Sequence, residues 1–175
     1  MRTFIALELP EAFEDEVADL ARQLSGMVQG RFMKRETYHL TLAFLGEIGE
    51  AESRDVIAVL DEVADACDVV TLRPTGLGTF GKPRDCTLWL GLAQTDALMA
   101  LAGELRTRLD GRGIAYDRKA FRPHITLARR AVLPKAPLEG LAFPAADAAR
   151  RLTFFKSILS QEGASYKPLY SVELG

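Results

Sequence analysis

The two histidines of this chain occur in the same sequence frame. His39 lies in YHLTLAFLG and His124 in FRPHITLAR, and each is followed by Thr at the second position and Leu at the third. The chain has 11 Thr and 25 Leu among 175 residues, so independent placement would give both matches with odds on the order of 1 in 10,000. One histidine on a strand is more often structural than catalytic, but a matched pair favours a shared chemical role.

A pair of imidazoles suits general acid–base catalysis. One neutral ring can remove a proton from a nucleophile while one protonated ring donates a proton to the leaving oxygen, and both forms are accessible near neutral pH. On a strand, residues i and i+2 share a face, so Thr41 accompanies His39 and Thr126 accompanies His124. Because threonine hydroxyls can donate to phosphate oxygens, the pattern predicts a site for a phosphate ester.

Other uses of these histidines fit the pattern less well. No Asp, Glu or Cys accompanies either histidine at ligand spacing, and two ligands alone make a weak metal site, so no metal is expected. A Ser-His-Asp triad uses one histidine and would leave the second unexplained. The G-x-S-x-G motif of many such enzymes is also absent.

Three further residues near the histidines are candidates for substrate contacts. Arg122 lies two residues before His124 and nominally shares its face, whereas Arg129 lies five residues after it. Strict alternation turns Arg129 away, so it would need a bend in the strand to reach a cleft. Either guanidinium could bind a phosphate bidentately or could be a solvated surface group. Phe44, five residues after His39, could stack on a base or belong to the core.

The apolar pattern predicts strands and helices that would position these residues. One helix is predicted from Pro10 to about Gln29, with Met27 on its apolar face. A second is predicted from Glu50 to Cys67, with Ile57, Leu60 and Ala64 facing inward. A third is predicted to begin after Thr95, which would be its N-cap. The Gly- and Pro-rich stretch 75–85 is predicted as a loop, as is 133–140. Strands are predicted at 3–9, 39–45, 69–74, 86–92, 124–129, 151–161 and 169–174.

The two histidine strands also end similar segments. From Thr3 to His39 is 36 residues and from Thr87 to His124 is 37, and each interval contains one amphipathic helix. Strand–helix–strand units of this length are common, but the shared histidine frame favours an internal repeat of approximately residues 3–45 and 87–130. We therefore predict one domain over residues 1–175, with both histidines facing a cleft between its halves.

Composition narrows the class of ligand. The net charge is −2 and the isoelectric point about 5.8, which argues against a broad basic surface for long duplexes but allows a small anionic ligand. Cys67 and Cys86 form no CxxC pair or disulfide framework. Since no signal-peptide pattern or membrane-spanning apolar run is present, a cytoplasmic location without membrane association is expected.

The motifs FIALELP, HLTLAFLGE, RDCTLWLGL, FRPHITLAR and SILSQEGASYKPL, in this order, resemble the two-histidine phosphoesterase superfamily. The specific resemblance is to RNA 2′,3′-cyclic phosphodiesterases, also called 2′-5′ RNA ligases. It implies an α+β fold of two pseudo-symmetric lobes, each a mostly antiparallel sheet with flanking helices, around a cleft. It also implies hydrolysis, without metal or cofactor, of a terminal 2′,3′-cyclic phosphate to a 2′-phosphate, with reverse 2′-5′ ligation accessible to the same groups.

The resemblance also carries over individual residues. It implies that His39 and His124 are catalytic, with His39 protonating the leaving 3′-oxygen and His124 orienting or deprotonating water. Thr41, Thr126, Arg129 and Arg122 would bind phosphate, and Phe44 would stack on a base. The expected substrates are RNA 3′ ends or nucleotides that carry the cyclic phosphate, and the low isoelectric point favours short ones. No obligate protein partner is implied.

Two alternatives remain open from the sequence. One is a phosphodiesterase of the same class that acts on 2′-5′ oligonucleotides or another small cyclic phosphate. The other is a non-catalytic module that binds RNA or a nucleotide.

Overall fold

The computed structural model describes all 175 residues and has ten strands and three α-helices. The helices are α1 Glu11–Ser25, α2 Glu50–Ala66 and α3 Asp96–Gly111, and a single 3-10 turn spans Arg35–Thr37. The strands are β1 Arg2–Glu8, β2 Gln29–Phe32, β3 His39–Glu47, β4 Val70–Leu72, β5 Pro74–Lys82, β6 Asp85–Leu92, β7 His124–Val132, β8 Asp147–Ala149, β9 Arg151–Ser160 and β10 Gly163–Glu173.

The strands form two large sheets and one small one. The large sheets have the orders β10-β9-β1-β3 and β2-β7-β6-β5, and β4 pairs with β8. Every pairing is antiparallel, which confirms the expected α+β class. The strand of His39 lies at an edge of the first sheet, and the strand of His124 lies inside the second.

Similar connections lead to the two histidine strands. β1 is followed by α1 and pairs with β3, with Glu8 opposite His39. β6 is followed by α3 and pairs with β7, with Gly91 opposite His124. The internal repeat remains a prediction, but each histidine begins a strand that returns beside the strand preceding its helix.

Apolar faces of the helices and sheets form the core. α1 buries Phe13, Val17, Leu20 and Leu24 on one face. α3 begins after Thr95, whose hydroxyl accepts a hydrogen bond from the Leu98 amide at 3.3 Å, so the predicted N-cap is confirmed. None of the three helices has the length and apolar character to cross a membrane.

Two helix predictions need correction. The first helix ends at Ser25 rather than Gln29, and Met27 is 43% exposed instead of lying on the apolar face. Gly26, a poor helix former, closes that helix, and residues 29–32 pair with β7 instead. α2 is rotated from its predicted orientation, because Val56, Val59, Leu60 and Val63 are fully buried while Ile57 and Ala64 are only partly so.

The stretch 75–85 is not a loop as predicted. Most of it belongs to β5, and only Pro83 and Arg84 form the turn to β6. Gly78 lies opposite Trp89, and a Cβ at Gly78 would come within 2.1 Å of the indole ring. Glycine here permits a close approach of an aromatic ring, a role that glycine also has inside strands.

Candidate active site

A cleft of about 860 Å³ is lined by residues of both large sheets. His39 and Thr41 enter it from β3, and His124 and Thr126 enter it from β7. All four residues are partly buried, while Leu40 and Ile125 on the opposite faces are fully buried. The structure therefore brings the two predicted His-Thr pairs together in one cleft.

The same irregularity interrupts both histidine strands. Leu42 has no partner in β1, because Thr41 pairs with Ala6 and Ala43 with Ile5. Leu127 likewise has no partner in β6, because the pairing passes from Thr126 directly to Ala128. A bulge of this kind adds one residue to a strand and shifts the alternation of its side chains. Two consecutive residues are therefore buried in each strand, at 42–43 and at 127–128.

The bulges decide which later residues reach the cleft. Phe44 is 56% exposed and lines the cleft, with its ring centroid 6.2 Å from that of Phe4. Arg129 also lines the cleft, although strict alternation would turn it away. The Arg122 side chain is exposed and is not among the cleft-lining groups. The expectation that it faces the site is therefore corrected, since it precedes β7 and does not follow the strand's alternation.

Arg122 nevertheless contributes through its backbone. Nδ1 of His124 lies 2.5 Å from the Arg122 carbonyl oxygen. Because a carbonyl only accepts, Nδ1 carries the hydrogen and Nε2 is left for proton exchange with a ligand. The ring packs against Phe80, whose centroid is 5.3 Å away, and against Trp89, at 5.7 Å, and these two rings also contact each other.

His39 occupies a more apolar setting. Its ring stacks on Phe4 at 4.9 Å and meets the edge of Tyr166 at 5.0 Å, with Phe155 at 5.9 Å. Burial lowers the pKa of His39 to about 4, against a smaller opposing effect from a backbone hydrogen bond at Thr37. His39 is thus neutral at pH 7 in the free protein. An anion in the cleft would raise this pKa, because a nearby negative charge favours the imidazolium.

Basic groups outnumber acidic ones around the cleft, despite the net charge of −2. Besides Arg129, the cleft-lining cations are Arg2, Arg31 and Lys34, and the acidic residues are Asp117 and Glu162. The positive charge is therefore local, which suits a small anion rather than a long polyanion.

Comparison with known proteins agrees with this geometry. Residues 9–154 match the family model of the 2′-5′ RNA ligase superfamily. The chain belongs to this superfamily. A Thermotoga maritima protein named RNA 2′,3′-cyclic phosphodiesterase is 32% identical over 99% of this chain and 95% of its own length.

Solved structures show the same fold as this superfamily member. The crystal structure of TT0787 of Thermus thermophilus has a TM-score of 0.82 at 28% identity and covers 99% of this chain and 98% of that one. The crystal structure of E. coli LigT complexed with 3′-AMP has a TM-score of 0.82 at 26% identity, covering 99% and 97%. Both likenesses extend over the sheets that carry the two histidines.

Among the cleft residues that sequence reasoning about this 2′-5′ RNA ligase superfamily member missed are Tyr166 and Arg31. Tyr166 lies in the quoted GASYKPL motif, and burial raises the pKa of its hydroxyl while the nearby charge of Arg129 lowers it. Arg31 lies eight residues before His39, where only its pairing with β7 reveals its position. No cluster of three His, Cys, Asp or Glu side chains suited to a metal ion occurs in the chain.

Proposed function

We propose that this protein hydrolyses the 2′,3′-cyclic phosphate at the end of an RNA chain or on a nucleotide, leaving a 2′-phosphate. The observation that carries the proposal is the convergence of two His-x-Thr pairs, one from each large sheet, in a single cleft. The superfamily match and the Thermotoga maritima relative named RNA 2′,3′-cyclic phosphodiesterase support the same reaction.

In the proposed reaction, water attacks phosphorus in line with the bond to the 3′-oxygen. His124 accepts the proton of water at Nε2, since its Nδ1 hydrogen is engaged by the Arg122 carbonyl. His39 donates a proton to the 3′-oxygen as the P–O3′ bond breaks. One P–O bond forms and one breaks, and the 2′ ester is retained. The two histidines then hold the opposite protonation states, which solvent exchange resets.

Substrate binding should promote the protonation of His39 by solvent. Burial holds the pKa of His39 at about 4, so its protonated form is scarce at pH 7. The cyclic phosphate carries one negative charge, which stabilises an adjacent imidazolium. We therefore expect phosphate binding and protonation of His39 to be coupled.

The low pKa of His39 also favours a second assignment, in which neutral His39 takes the proton from water and His124 is the acid. A substrate with sulfur in place of the 3′-oxygen separates the two, because a thiolate leaves without a general acid. If His39 is the acid, the His39→Ala variant should recover most of its rate on the 3′-thio substrate, and His124→Ala should not. Rescue of His124→Ala alone would reverse the assignment.

The remaining cleft residues bind substrate in this proposal. The hydroxyls of Thr41 and Thr126 donate to the non-bridging phosphate oxygens, where charge develops in the transition state. Arg129 holds the phosphate by charge-assisted hydrogen bonds, and Phe44 stacks on the terminal base. If a 5′-hydroxyl replaces water as the nucleophile, the same groups form a 2′-5′ linkage.

The decisive experiment is an assay in excess EDTA with an oligonucleotide that ends in a 2′,3′-cyclic phosphate. We expect turnover to a product with a 2′-phosphate, identified by its resistance to enzymes specific for 3′-phosphates. Loss of activity on chelation, restored by one divalent metal, would overturn the metal-free chemistry. Faster turnover of 2′-5′ oligonucleotides would identify these as the substrate instead. Tight binding without turnover would indicate a binding module.

A further inference from the structure

Two arginines face each other across neighbouring strands at the cleft. Arg31 on β2 is the direct antiparallel partner of Arg129 on β7, and both residues line the cleft. Directly opposed residues project from the same face, with Cβ atoms about 4.5–5.5 Å apart. Like charges in this arrangement destabilise a sheet, so the arrangement calls for a compensating anion.

No carboxylate in the protein supplies that compensation. Other arginines, such as Arg35 and Arg112, are engaged in salt bridges, whereas neither Arg31 nor Arg129 forms one. Arg2, also at the cleft, forms no salt bridge either, but the residue directly opposite it is Glu47, which pairs with the amino terminus, and not a second arginine. Two exposed guanidinium groups without partners are complementary to phosphate oxygens in charge and geometry, and they can bind these oxygens bidentately.

We propose that Arg31 and Arg129 together bind a second phosphate, the phosphodiester immediately 5′ of the terminal nucleotide. This inference rests on the proposed function and makes an RNA chain end a better substrate than a single nucleotide. Arg129 lies on the strand of His124 and contacts both phosphates. Arg31 lies one strand farther away, about 4.8 Å beyond β7, and serves the second phosphate.

The position of β2 fits a chain that leaves the site. β2 is an edge strand of its sheet, so no further strand covers the side of the cleft beyond Arg31. Arg129 lies five positions after His124, about 16–17 Å along a regular strand before the shortening by the bulge is allowed for. That length exceeds the size of one phosphate group and leaves room for the neighbouring one.

The test compares a nucleoside 2′,3′-cyclic phosphate with a dinucleotide that ends in the same cyclic phosphate. For Arg31→Ala we expect KM for the dinucleotide to rise about 10- to 100-fold, as for a lost charge-assisted hydrogen-bonding group, with kcat little changed. The loss on the mononucleotide should be at least about tenfold smaller. The KM of Arg31→Lys for the dinucleotide should lie between those of the wild type and Arg31→Ala, because an ammonium keeps the charge without the bidentate geometry.

Two controls separate binding from structure. Arg54→Ala removes another exposed arginine without a salt bridge, on α2 outside the cleft, and should leave the kinetics on both substrates unchanged. In the absence of ligand, Arg31→Ala should keep or raise Tm because it relieves repulsion, whereas a structural Arg31 would give a lower Tm.

Equal losses on both substrates, or no loss on either, would overturn the second phosphate site. These results differ from failure of the proposed function, in which the wild-type protein would turn over neither substrate. Preferential loss on the dinucleotide with an unchanged or higher Tm is the outcome that supports the site.

Discussion

Phe44 and Arg129 occupy equivalent positions on two different sheets. Each lies five residues after a histidine, each follows a bulge at the third residue after that histidine, and each lines the same cleft. The same backbone device thus delivers an aromatic ring from one sheet and a cation from the other. A nucleotide offers both matching surfaces, a base for the ring and a phosphate for the cation.

Removal of either imidazole should abolish most of the turnover. We expect His39→Ala and His124→Ala each to lower kcat about 100- to 10,000-fold on the natural cyclic phosphate, the usual contribution of a general acid or base. The double variant should lose far less than the product of the two losses, because the groups act as one unit. Steady-state kinetics on variants with native circular dichroism would measure this, and a near-normal rate in either single variant would contradict the mechanism.

Burial of His39 should make the stability of the protein depend on pH. The unfolded imidazole has its ordinary pKa of 6.5, and the folded one has a pKa of about 4, so the unfolded state binds the proton more tightly. The contribution of neutral His39 is therefore present above pH 6.5 and is lost as the pH falls towards 4. The loss amounts to about 3 kcal/mol in the free energy of unfolding.

Urea denaturation of the wild type and of His39→Gln at pH 7 and pH 4 measures this contribution. Both proteins lose stability from their carboxylates, so only the difference between them reports on His39. We expect the wild type to lose about 3 kcal/mol more than the variant. Identical losses would mean that the folded imidazole titrates near its ordinary pKa.

The close approach of Trp89 to Gly78 should support His124. A Cβ at residue 78 would clash with the indole ring, which in turn packs against His124. We expect Gly78→Ala to destabilise the fold by about 1–3 kcal/mol, as overpacking does, and to lower kcat more than it raises KM. Gly103→Ala on α3 is the control, since a Cβ there meets nothing within 4 Å, and it should stabilise by about 0.5–1 kcal/mol. Unchanged kcat in a destabilised Gly78→Ala would show that the ring does not position His124.

The sequence was sufficient for the residues whose positions follow from strand periodicity. His39, Thr41, His124 and Thr126 lie at i and i+2, and each pair shares a face as predicted. The position of Arg129 in the cleft depends on the bulge at Leu127, and a bulge cannot be recognised from the apolar pattern of a strand.

Long-range pairing and glycine account for the other differences. Arg31 faces a residue 98 positions away, on a four-residue strand too short to show alternation. The glycines of β5 have the composition of a loop, although Gly78 serves the packing of Trp89. Register and close packing are properties of the assembled sheet, and the local sequence does not specify them.

Phe44 should contribute binding energy without reading sequence. The ring is 56% exposed in the cleft, and a stack on the terminal base is worth about 1–3 kcal/mol with little preference among bases. We therefore expect Phe44→Ala to weaken binding of oligonucleotides with any terminal base to a similar degree, while Phe44→Trp retains affinity. A loss confined to one base would point to hydrogen-bonded readout instead.

Substrate binding should depend only weakly on salt. The unpaired cations of the cleft are few and local, and for single strands each neutralised phosphate contributes about −0.7 to the slope of log K against log salt. For binding of an RNA ending in a cyclic phosphate to the His124→Ala variant, we expect a slope no steeper than about −2, from two or three phosphate contacts. Adding Arg129→Ala should make the slope shallower by about 0.7 and weaken all sequences alike, because phosphate contacts position a chain without reading its bases. Fluorescence titration across a salt series measures both quantities, and a slope of about −5 or steeper would require a long basic track beyond the cleft.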